Sequence, residues 1–160
     1  MRSRFLLPVF ILLLAACSKE NVLLFKEFPN EGWAQKEWAE FNYTHRLPQK
    51  AFTIPLILRH DDSYPYANIH VIAEWENPKG IKGTDTLSYI LAYPDGRWKG
   101  KGLYIKEHTL PYLNDFMLDE PGNYRFRIRP AVRDNEQLVA DKILVGVHQI
   151  GIELNPISNE

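Results

Sequence analysis

The stretch NYRFRIR, residues 123–129, alternates apolar and charged side chains more sharply than any other part of the chain. Tyr124, Phe126 and Ile128 occupy every second position, and an arginine follows each of them. Successive side chains of a β-strand point to opposite faces of the sheet, so a period of two separates the apolar set from the arginines. The stretch therefore predicts a strand with one buried and one solvated face, as is typical of antiparallel sheets.

The same period of two recurs along the chain and predicts further strands. Clear examples are residues 52–59, 69–75, 86–93 and 147–154, and weaker ones are residues 22–28, 41–45 and 103–108. Turn signals rich in Pro, Gly and Asn separate them, at residues 77–80, 94–96 and 120–122. Short strands divided by turns predict an all-β fold, an antiparallel immunoglobulin-like β-sandwich of about seven to nine strands.

Three local patterns refine this expectation. Helix is expected in at most one or two short pieces, at residues 135–142 and as one turn at residues 37–41. Pro55 lies inside a predicted strand, which favours an edge strand or a bulge there. Tyr124 follows the turn at Gly122, so it either forms a tyrosine corner, in which its hydroxyl bonds the turn backbone, or simply packs.

Composition limits the class of protein. The chain has 160 residues, of which 45% are hydrophobic and 12% aromatic, enough for one domain with a substantial core. Its formal charge is −1, and its lysines and arginines are mixed with acids rather than grouped, so no nucleic-acid partner is indicated. Cys17 is the single cysteine, so stability is expected to come from the core and not from a disulfide.

The N-terminal residues resemble a bacterial export signal. Arg2 and Arg4 precede residues 5–16, which are almost wholly apolar and too few for a permanent membrane span. The run ends Leu-Ala-Ala-Cys, a lipobox, in which Cys17 receives a lipid group and becomes the mature N-terminus. The other interpretation is an ordinary signal peptide with a chance cysteine, but the position of Cys17 favours lipidation.

These features divide the chain into a signal peptide at residues 1–16, a lipidated N-terminus and tether at residues 17–21, and one β-sandwich domain at residues 22–160. No Asp follows Cys17, so the retention signal of the inner membrane is missing and the outer membrane is expected. Whether the domain faces the periplasm or the cell surface stays open.

Residues 58–71, LRHDDSYPYANIHV, concentrate the chain's most reactive side chains. A metal or acid–base site is one interpretation, and a hairpin-like connection stiffened by Tyr64 and Tyr66 is the other. If both flanking strands face one core, His60 lies on the core side and His70 on the opposite face, so they do not share a metal. We therefore expect no metal site, and expect Arg59 to pair with one of the two loop aspartates.

Catalytic patterns are weak elsewhere. The five histidines are scattered without metal-ligand spacing, at His45, His60, His70, His108 and His148. The chain lacks Gly-x-Ser-x-Gly and Ser-x-x-Lys motifs, and the Gly-rich residues 96–102 lack the ending of a phosphate loop. Within that loop, Arg97 and Trp98 either form a contact patch for a protein or sugar, or Trp98 covers one end of the core.

Several motifs in this order resemble a known family. They are the lipobox at Cys17, PNEGW at residues 29–33, LRH at 58–60, YPYxN at 64–68, Asp85-Thr86, GRWxGxG at 96–102 and GNYxF at 122–126. The chain is similar to gliding motility-associated lipoproteins of the GldH type from Bacteroidota. The resemblance spans nearly the whole mature chain and implies an envelope lipoprotein needed for gliding, in a system tied to type IX secretion. It implies no enzymatic activity, no catalytic residues and no cofactor.

Three functional hypotheses follow. The first is a non-catalytic interaction subunit that contacts other gliding or secretion envelope proteins, with Arg59, Tyr64, Tyr66, Arg97 and Trp98 as candidate partner-binding residues. The second is a module that binds a glycan or surface polymer through its aromatic side chains. The third, a hydrolase, rests only on the His-Asp-Asp sequence at residues 60–62.

Thr86 is a candidate O-glycosylation site, because Asp85-Thr86-Leu87 matches a triplet that exported Bacteroidota proteins use. We predict that the peptide containing Thr86, purified from the native host, carries an added glycan mass that a Thr86→Val variant lacks. Mass spectrometry of the digested protein checks this, and an unmodified mass from the native host would contradict it.

Overall fold

The computed structural model describes residues 21–29, 32–46, 49–131 and 143–157, and in these ranges the chain forms β-strands and no α-helix. No helix within them is long and apolar enough to cross a bilayer. The ten strands are β1 (Val22–Glu27), β2 (Trp33–Ala34), β3 (Ala39–His45), β4 (Lys50–His60), β5 (Asn68–Glu76), β6 (Lys82–Ile90), β7 (Lys106–Leu118), β8 (Gly122–Pro130), β9 (Ile143–Leu144) and β10 (Val147–Pro156).

Two four-stranded antiparallel sheets form the body of the domain. The first has the order β1-β10-β4-β7 and the second β3-β8-β5-β6, while the two-residue strands β2 and β9 pair with each other. Side chains from both large sheets join one buried cluster; Phe116 of β7, for example, packs edge-on against Trp75 of β5 and Phe126 of β8. The predicted antiparallel β-sandwich is confirmed.

Strand β8, the stretch that suggested the fold, has the predicted two faces. Tyr124, Phe126 and Ile128 are buried, whereas the arginines between them lie on the outer face. Two glutamates of the neighbouring strand β5 partner these arginines, with Arg127 contacting Glu74 and Arg125 contacting Glu76. Opposite charges facing each other across two strands remove the repulsion that a row of arginines would otherwise cause.

Tyr124 forms the predicted corner. Its ring is buried, and its hydroxyl donates a hydrogen bond to the carbonyl oxygen of Glu120 at 3.2 Å and accepts one from the Glu120 N–H at 3.3 Å. The hydroxyl therefore ties the turn before β8 to the strand that follows it.

Strand β4 lies inside its sheet, between β10 and β7, so the suggestion that Pro55 marks an edge is wrong. The suggestion of a bulge is right: the register of β4 against β7 shifts between Phe52 and Ile54 and again between Ile54 and Leu56. The second shift brackets Pro55, which has no N–H to donate to the ladder.

Three predicted elements need correction. The strand expected at residues 86–93 begins at Lys82 and ends at Ile90, and the one expected at residues 103–108 begins only at Lys106 and continues to Leu118. The helical turn expected at residues 37–41 is absent, because Ala39 already begins β3 and pairs with Ile128. The helix proposed at residues 135–142, the signal peptide and Cys17 lie outside the described residues.

The sandwich has two distinct ends. At the "histidine end", His60 pairs with Lys106 and lies one connection away from Asn68, where β5 begins. At the "Val22 end", β1 begins, and the turns that precede β6 and β8 are found. Strand β10 runs from one end to the other, because its first residue, Val147, pairs with His60 and its Leu154 pairs with Val22. At roughly 3.4 Å per residue, the stretch from Val147 to Leu154 places the two ends about 24 Å apart.

Replacement of Tyr124 by Phe removes the corner hydroxyl and leaves the ring, so we expect a loss of about 1 kcal/mol in the free energy of unfolding. Tyr104→Phe is the matched control, because Tyr104 is exposed and should lose nothing measurable. Urea unfolding of both variants measures this, and equal stability of the two variants would show that the corner bonds do not contribute.

Candidate functional site

The histidine end brings together side chains that look unrelated in the sequence. His60 and His108 lie on adjacent antiparallel strands, β4 and β7, where His60 pairs with Lys106 and Leu58 pairs with His108. Both side chains therefore point into the sandwich, on neighbouring rungs. Their rings stack with centroids 5.0 Å apart and planes 18° apart, and their Nε2 atoms are 3.0 Å apart.

Hydrogen bonding defines the proton positions in this pair. The Nδ1 atom of His60 lies 2.8 Å from the carbonyl oxygen of Asp61, which only accepts, so Nδ1 carries the proton. Neutral His60 then has an unprotonated Nε2, and His108 donates its Nε2–H to that atom. Two neutral imidazoles in complementary tautomers satisfy this contact without a charge.

Burial keeps the pair neutral. Loss of hydration, and to a smaller extent the neighbouring His60, lowers the pKa of His108 to about 4. The pKa of His60 is also lowered, chiefly by burial, against the opposing effects of the Asp61 carbonyl and the carboxylates of Asp61 and Asp62. Both rings are therefore uncharged at neutral pH.

Aromatic side chains close this site from solvent. Trp98 packs edge-on against His60, with centroids 4.5 Å apart, and its indole N–H donates to the Asp62 carboxylate at 2.9 Å. Tyr64 lies 5.1 Å from His60, and its hydroxyl donates to the carbonyl oxygen of Asn68 at 2.8 Å. We call His60, Tyr64, Trp98 and His108 the histidine cluster.

Gly100 allows the loop that carries Trp98 to lie over His108. A Cβ atom at position 100 would come within 2.5 Å of the His108 Nε2. The absence of a side chain therefore permits the close approach of loop backbone to the imidazole.

Asp61 holds the loop that leaves β4. Its carboxylate accepts hydrogen bonds from the Ser63 N–H at 2.8 Å, from the Ser63 hydroxyl and from His148 Nε2 at 2.7 Å. Partial burial opposes ionisation of Asp61, but these hydrogen bonds outweigh it and lower the pKa of the carboxyl group. The carboxylate therefore organises the turn by Asx-type chemistry and also ties it to β10.

The histidine cluster offers little to a substrate or a metal. Among the residues that the structure describes, no three His, Cys, Asp or Glu side chains are grouped so as to hold a metal ion. His60 and His108 are buried, and Tyr64 and Trp98 pack around them, so no reacting atom is presented to solvent. As expected, His60 faces the core and His70 is exposed on the other face, where it contacts Ser88.

Arg59 lies beside the cluster, on the outer face of its sheet. It donates to Glu107 at 2.7 Å and to the Gln149 side chain at 2.7 Å, and its guanidinium lies 4.2 Å from the centre of the Phe25 ring. The expected pairing with Asp61 or Asp62 is therefore wrong, because the outward parity of Arg59 directs it toward neighbouring strands and not toward the loop.

The other candidate residues divide between core and surface. Tyr64 is buried and Trp98 half-buried, so these two line the core end, whereas Tyr66 is 53% exposed and Arg97 projects into solvent beside Asp95. Thr86 is exposed on β6, an edge strand, where a glycan would meet no neighbouring strand.

Sequence reasoning missed two features of this end. The His60–His108 pair joins residues 48 positions apart, and nothing in the sequence indicates the register that brings them together. Residues 103–105 were predicted to form part of a strand, but they form an exposed bend before β7. The apolar side chains of Leu103 and Ile105, two positions apart, were the misleading signal.

Fold and site together define the class: an all-β sandwich domain whose histidine cluster is closed to solvent by aromatic side chains. The chain belongs to the GldH lipoprotein family, whose family model matches residues 22–154. It is 29% identical to the "gliding motility lipoprotein GldH homolog" of Christiangramia forsetii over 163 residues, covering 99% of this chain and 100% of that protein. It is 31% identical to "gliding motility lipoprotein GldH" of Flavobacterium johnsoniae over 146 residues, 89% of each chain. No solved structure matches.

The lowered pKa of His108 makes stability depend on pH. Unfolded His108 takes up a proton below pH 6.5, whereas the folded form resists it until about pH 4, so the free energy of unfolding falls as pH falls through that window. We expect the loss attributable to His108 to be on the order of 3 kcal/mol between pH 7 and pH 4.

A His108→Gln variant, whose amide can still donate toward His60, should show a shallower decline in stability with falling pH. His70→Gln is the control, because His70 is exposed, and it should keep the wild-type decline. Urea unfolding at half-unit pH steps measures the slopes; identical slopes for all three proteins would remove the histidine pair as the cause.

Proposed function

We propose that this chain is a lipoprotein of the outer membrane, anchored through Cys17, that serves as a non-catalytic interaction component of the gliding machinery linked to type IX secretion. The observation that carries the proposal is the family match over residues 22–154, together with relatives named as gliding motility lipoproteins along nearly their whole length. The lipobox ending at Cys17 supports the anchor.

The chemistry of the histidine end supports a non-catalytic role. A general base or nucleophile has to reach a substrate. The imidazoles of His60 and His108 instead hydrogen-bond to each other, and Tyr64 and Trp98 pack around them. Asp61 is occupied by Ser63 and His148. These contacts are those of a scaffold that holds two loops in place.

The placement of the candidate residues supports an interaction role for the loops. Tyr64, which is buried, and Trp98, which is half-buried, form the base of the histidine end, and Arg59 is held by Glu107. Tyr66 and Arg97 project from that base into solvent. A rigid core end with projecting aromatic and cationic side chains is suited to contact another envelope protein.

A second candidate function is binding of an envelope glycan or polymer, favoured by the exposed rings of Tyr66 and Tyr93 at the same end. Because the Tyr64 ring contacts both Tyr66 and Trp98, the fluorescence of Trp98 should report such binding. Titration of the domain with cell-wall and surface-glycan fragments tests this, and the absence of a saturable change would exclude it for those fragments.

Deletion of the gene in the native host should abolish spreading on surfaces and reduce type IX secretion, and the intact gene should restore both. A Cys17→Ala variant should leave the membrane fraction, because the acyl chains that hold it are lost, and should fail to restore spreading. Ser18→Ala is the matched control and should behave as wild type.

Cell fractionation, spreading assays and secretome analysis measure these effects together. Retention of Cys17→Ala in the membrane fraction would contradict the lipid anchor. Normal spreading and secretion in the deletion strain would contradict the proposed role.

A further inference from the structure

A contiguous apolar projection stands at the histidine end. Leu103 is 77% exposed, Tyr104 80% and Ile105 40%, and they form the bend that leads into β7. Isolated exposed apolar side chains are common on protein surfaces, but three consecutive large ones in one bend form a patch of the kind that marks an interaction site. We call residues 103–105 the apolar bend.

The bend is held in one shape by its own neighbours. Lys101 and Glu107 exchange two backbone hydrogen bonds, at 2.8 and 2.9 Å, which close the loop at its base. The Lys106 ammonium donates to the carbonyl oxygens of Gly102 and Leu103. Gly102 has a φ of +124°, and a Cβ there would lie 1.9 Å from the Ile105 carbonyl oxygen, so the turn requires glycine. A rigid bend loses little conformational entropy when it binds.

Three cationic residues precede the apolar bend along the chain. Arg97, Lys99 and Lys101 all lie in the loop before it and are exposed. Arg97 pairs with Asp95, and Lys99 lies over the Tyr93 ring, but within the described part of the chain no carboxylate forms an ion pair with Lys99 or Lys101. These two ammonium groups are therefore available to carboxylates of a partner.

A groove runs beside the bend along the outer face of the first sheet. Its volume is about 520 Å³, and the residues that line it include Arg59, Lys101, Ile105, Glu107, His148 and Gln149. A partner that covers the bend would also meet this groove, which already carries a fixed hydrogen-bonding network.

The position of the bend indicates what it faces. It lies at the histidine end, whereas Val22, the first residue of β1, lies at the opposite end of the sandwich. If the lipid is on Cys17, five residues before Val22, the tether spans at most about 17 Å. The apolar bend then lies about 24 Å from the residue at which the tether joins the domain.

We propose that the apolar bend, with Lys99 and Lys101 beside it, is the docking site for a protein partner that presents an apolar pocket bordered by carboxylates. This inference rests on the proposed function, because it uses the anchor at Cys17. A second copy of the chain fits less well, since a symmetric contact through this end would oppose the lysines of one copy to those of the other. The distance of the bend from the point where the tether joins the domain disfavours the anchoring membrane itself.

Site-specific photo-crosslinking of the full-length lipoprotein in its native host tests the proposal. A benzophenone amino acid replaces Tyr104 in one strain and Ile81 in the control strain; Ile81 is 56% exposed but lies at the Val22 end. We expect one envelope protein to crosslink at position 104 with a yield at least about tenfold above that at position 81. Lys99→Glu with Lys101→Glu should lower the yield about tenfold.

The crosslinked peptide of the partner should contain aliphatic or aromatic residues next to Asp or Glu. Changing those acids to Lys should restore crosslinking to the Lys99→Glu and Lys101→Glu variant, which a merely structural effect of the lysines would not do. Thermal unfolding of each variant should match wild type, because all the altered side chains are exposed.

The proposal is overturned if position 104 yields no protein crosslink, a yield equal to that at position 81, or a crosslink only to a second copy. It is also overturned if the unlipidated domain binds vesicles containing one quarter phosphatidylglycerol through the bend, which would make lipid its ligand. In a host where deletion of the gene stops spreading, a Leu103→Ser, Tyr104→Ser variant is tested for spreading. If that variant spreads like wild type, the docking site is rejected while the proposed function stands. If deletion itself has no effect, the proposed function fails.

Discussion

The pairing of β4 with β7 is the constraint on which the rest of the structure depends. Strand β4 occupies the inside of its sheet, and its residues 54–58 are buried without interruption, so the strand cannot slip without exposing its core residues. Two bulges shift its register against β7 before the strands reach the histidine end. The same register that buries Leu56 and Leu58 places His60 next to His108.

Burial of two histidines would destabilise the fold if either were charged or left without a partner. The structure avoids both costs, because each ring is neutral and one donates to the other. The Asp61 carbonyl selects the tautomer of His60, and Trp98 and Tyr64 close the remaining sides. Polar side chains at this end therefore add to the backbone hydrogen bonds that hold the loops after β4 and before β7.

The two ends of the sandwich differ in what they present. The Val22 end carries short turns and adjoins the segment that leads to Cys17. The histidine end carries the long connections, which include the exposed Tyr66, Arg97 and the apolar bend. A domain tethered at one end presents the other to its surroundings, and loops supported by a rigid scaffold are where binding residues concentrate. The exposed candidate contact residues therefore lie at the end opposite Val22.

The sequence by itself determined most of the strands, the sandwich and the opposite faces of His60 and His70, because alternation along a strand and turn chemistry are local properties. It left the tyrosine corner at Tyr124 as one of two alternatives, which the hydrogen bonds of the hydroxyl decided. Family motifs spread along the chain were also visible without a structure. At residues 103–105 the apolar side chains led to a wrong prediction of a strand, because these residues form an exposed bend. Only the tertiary structure decided that His60 meets His108, that Arg59 meets Glu107, and that Tyr64 is buried while Tyr66 is exposed. Those outcomes depend on the register between strands 48 residues apart, which the packing of the whole core sets and no short pattern encodes.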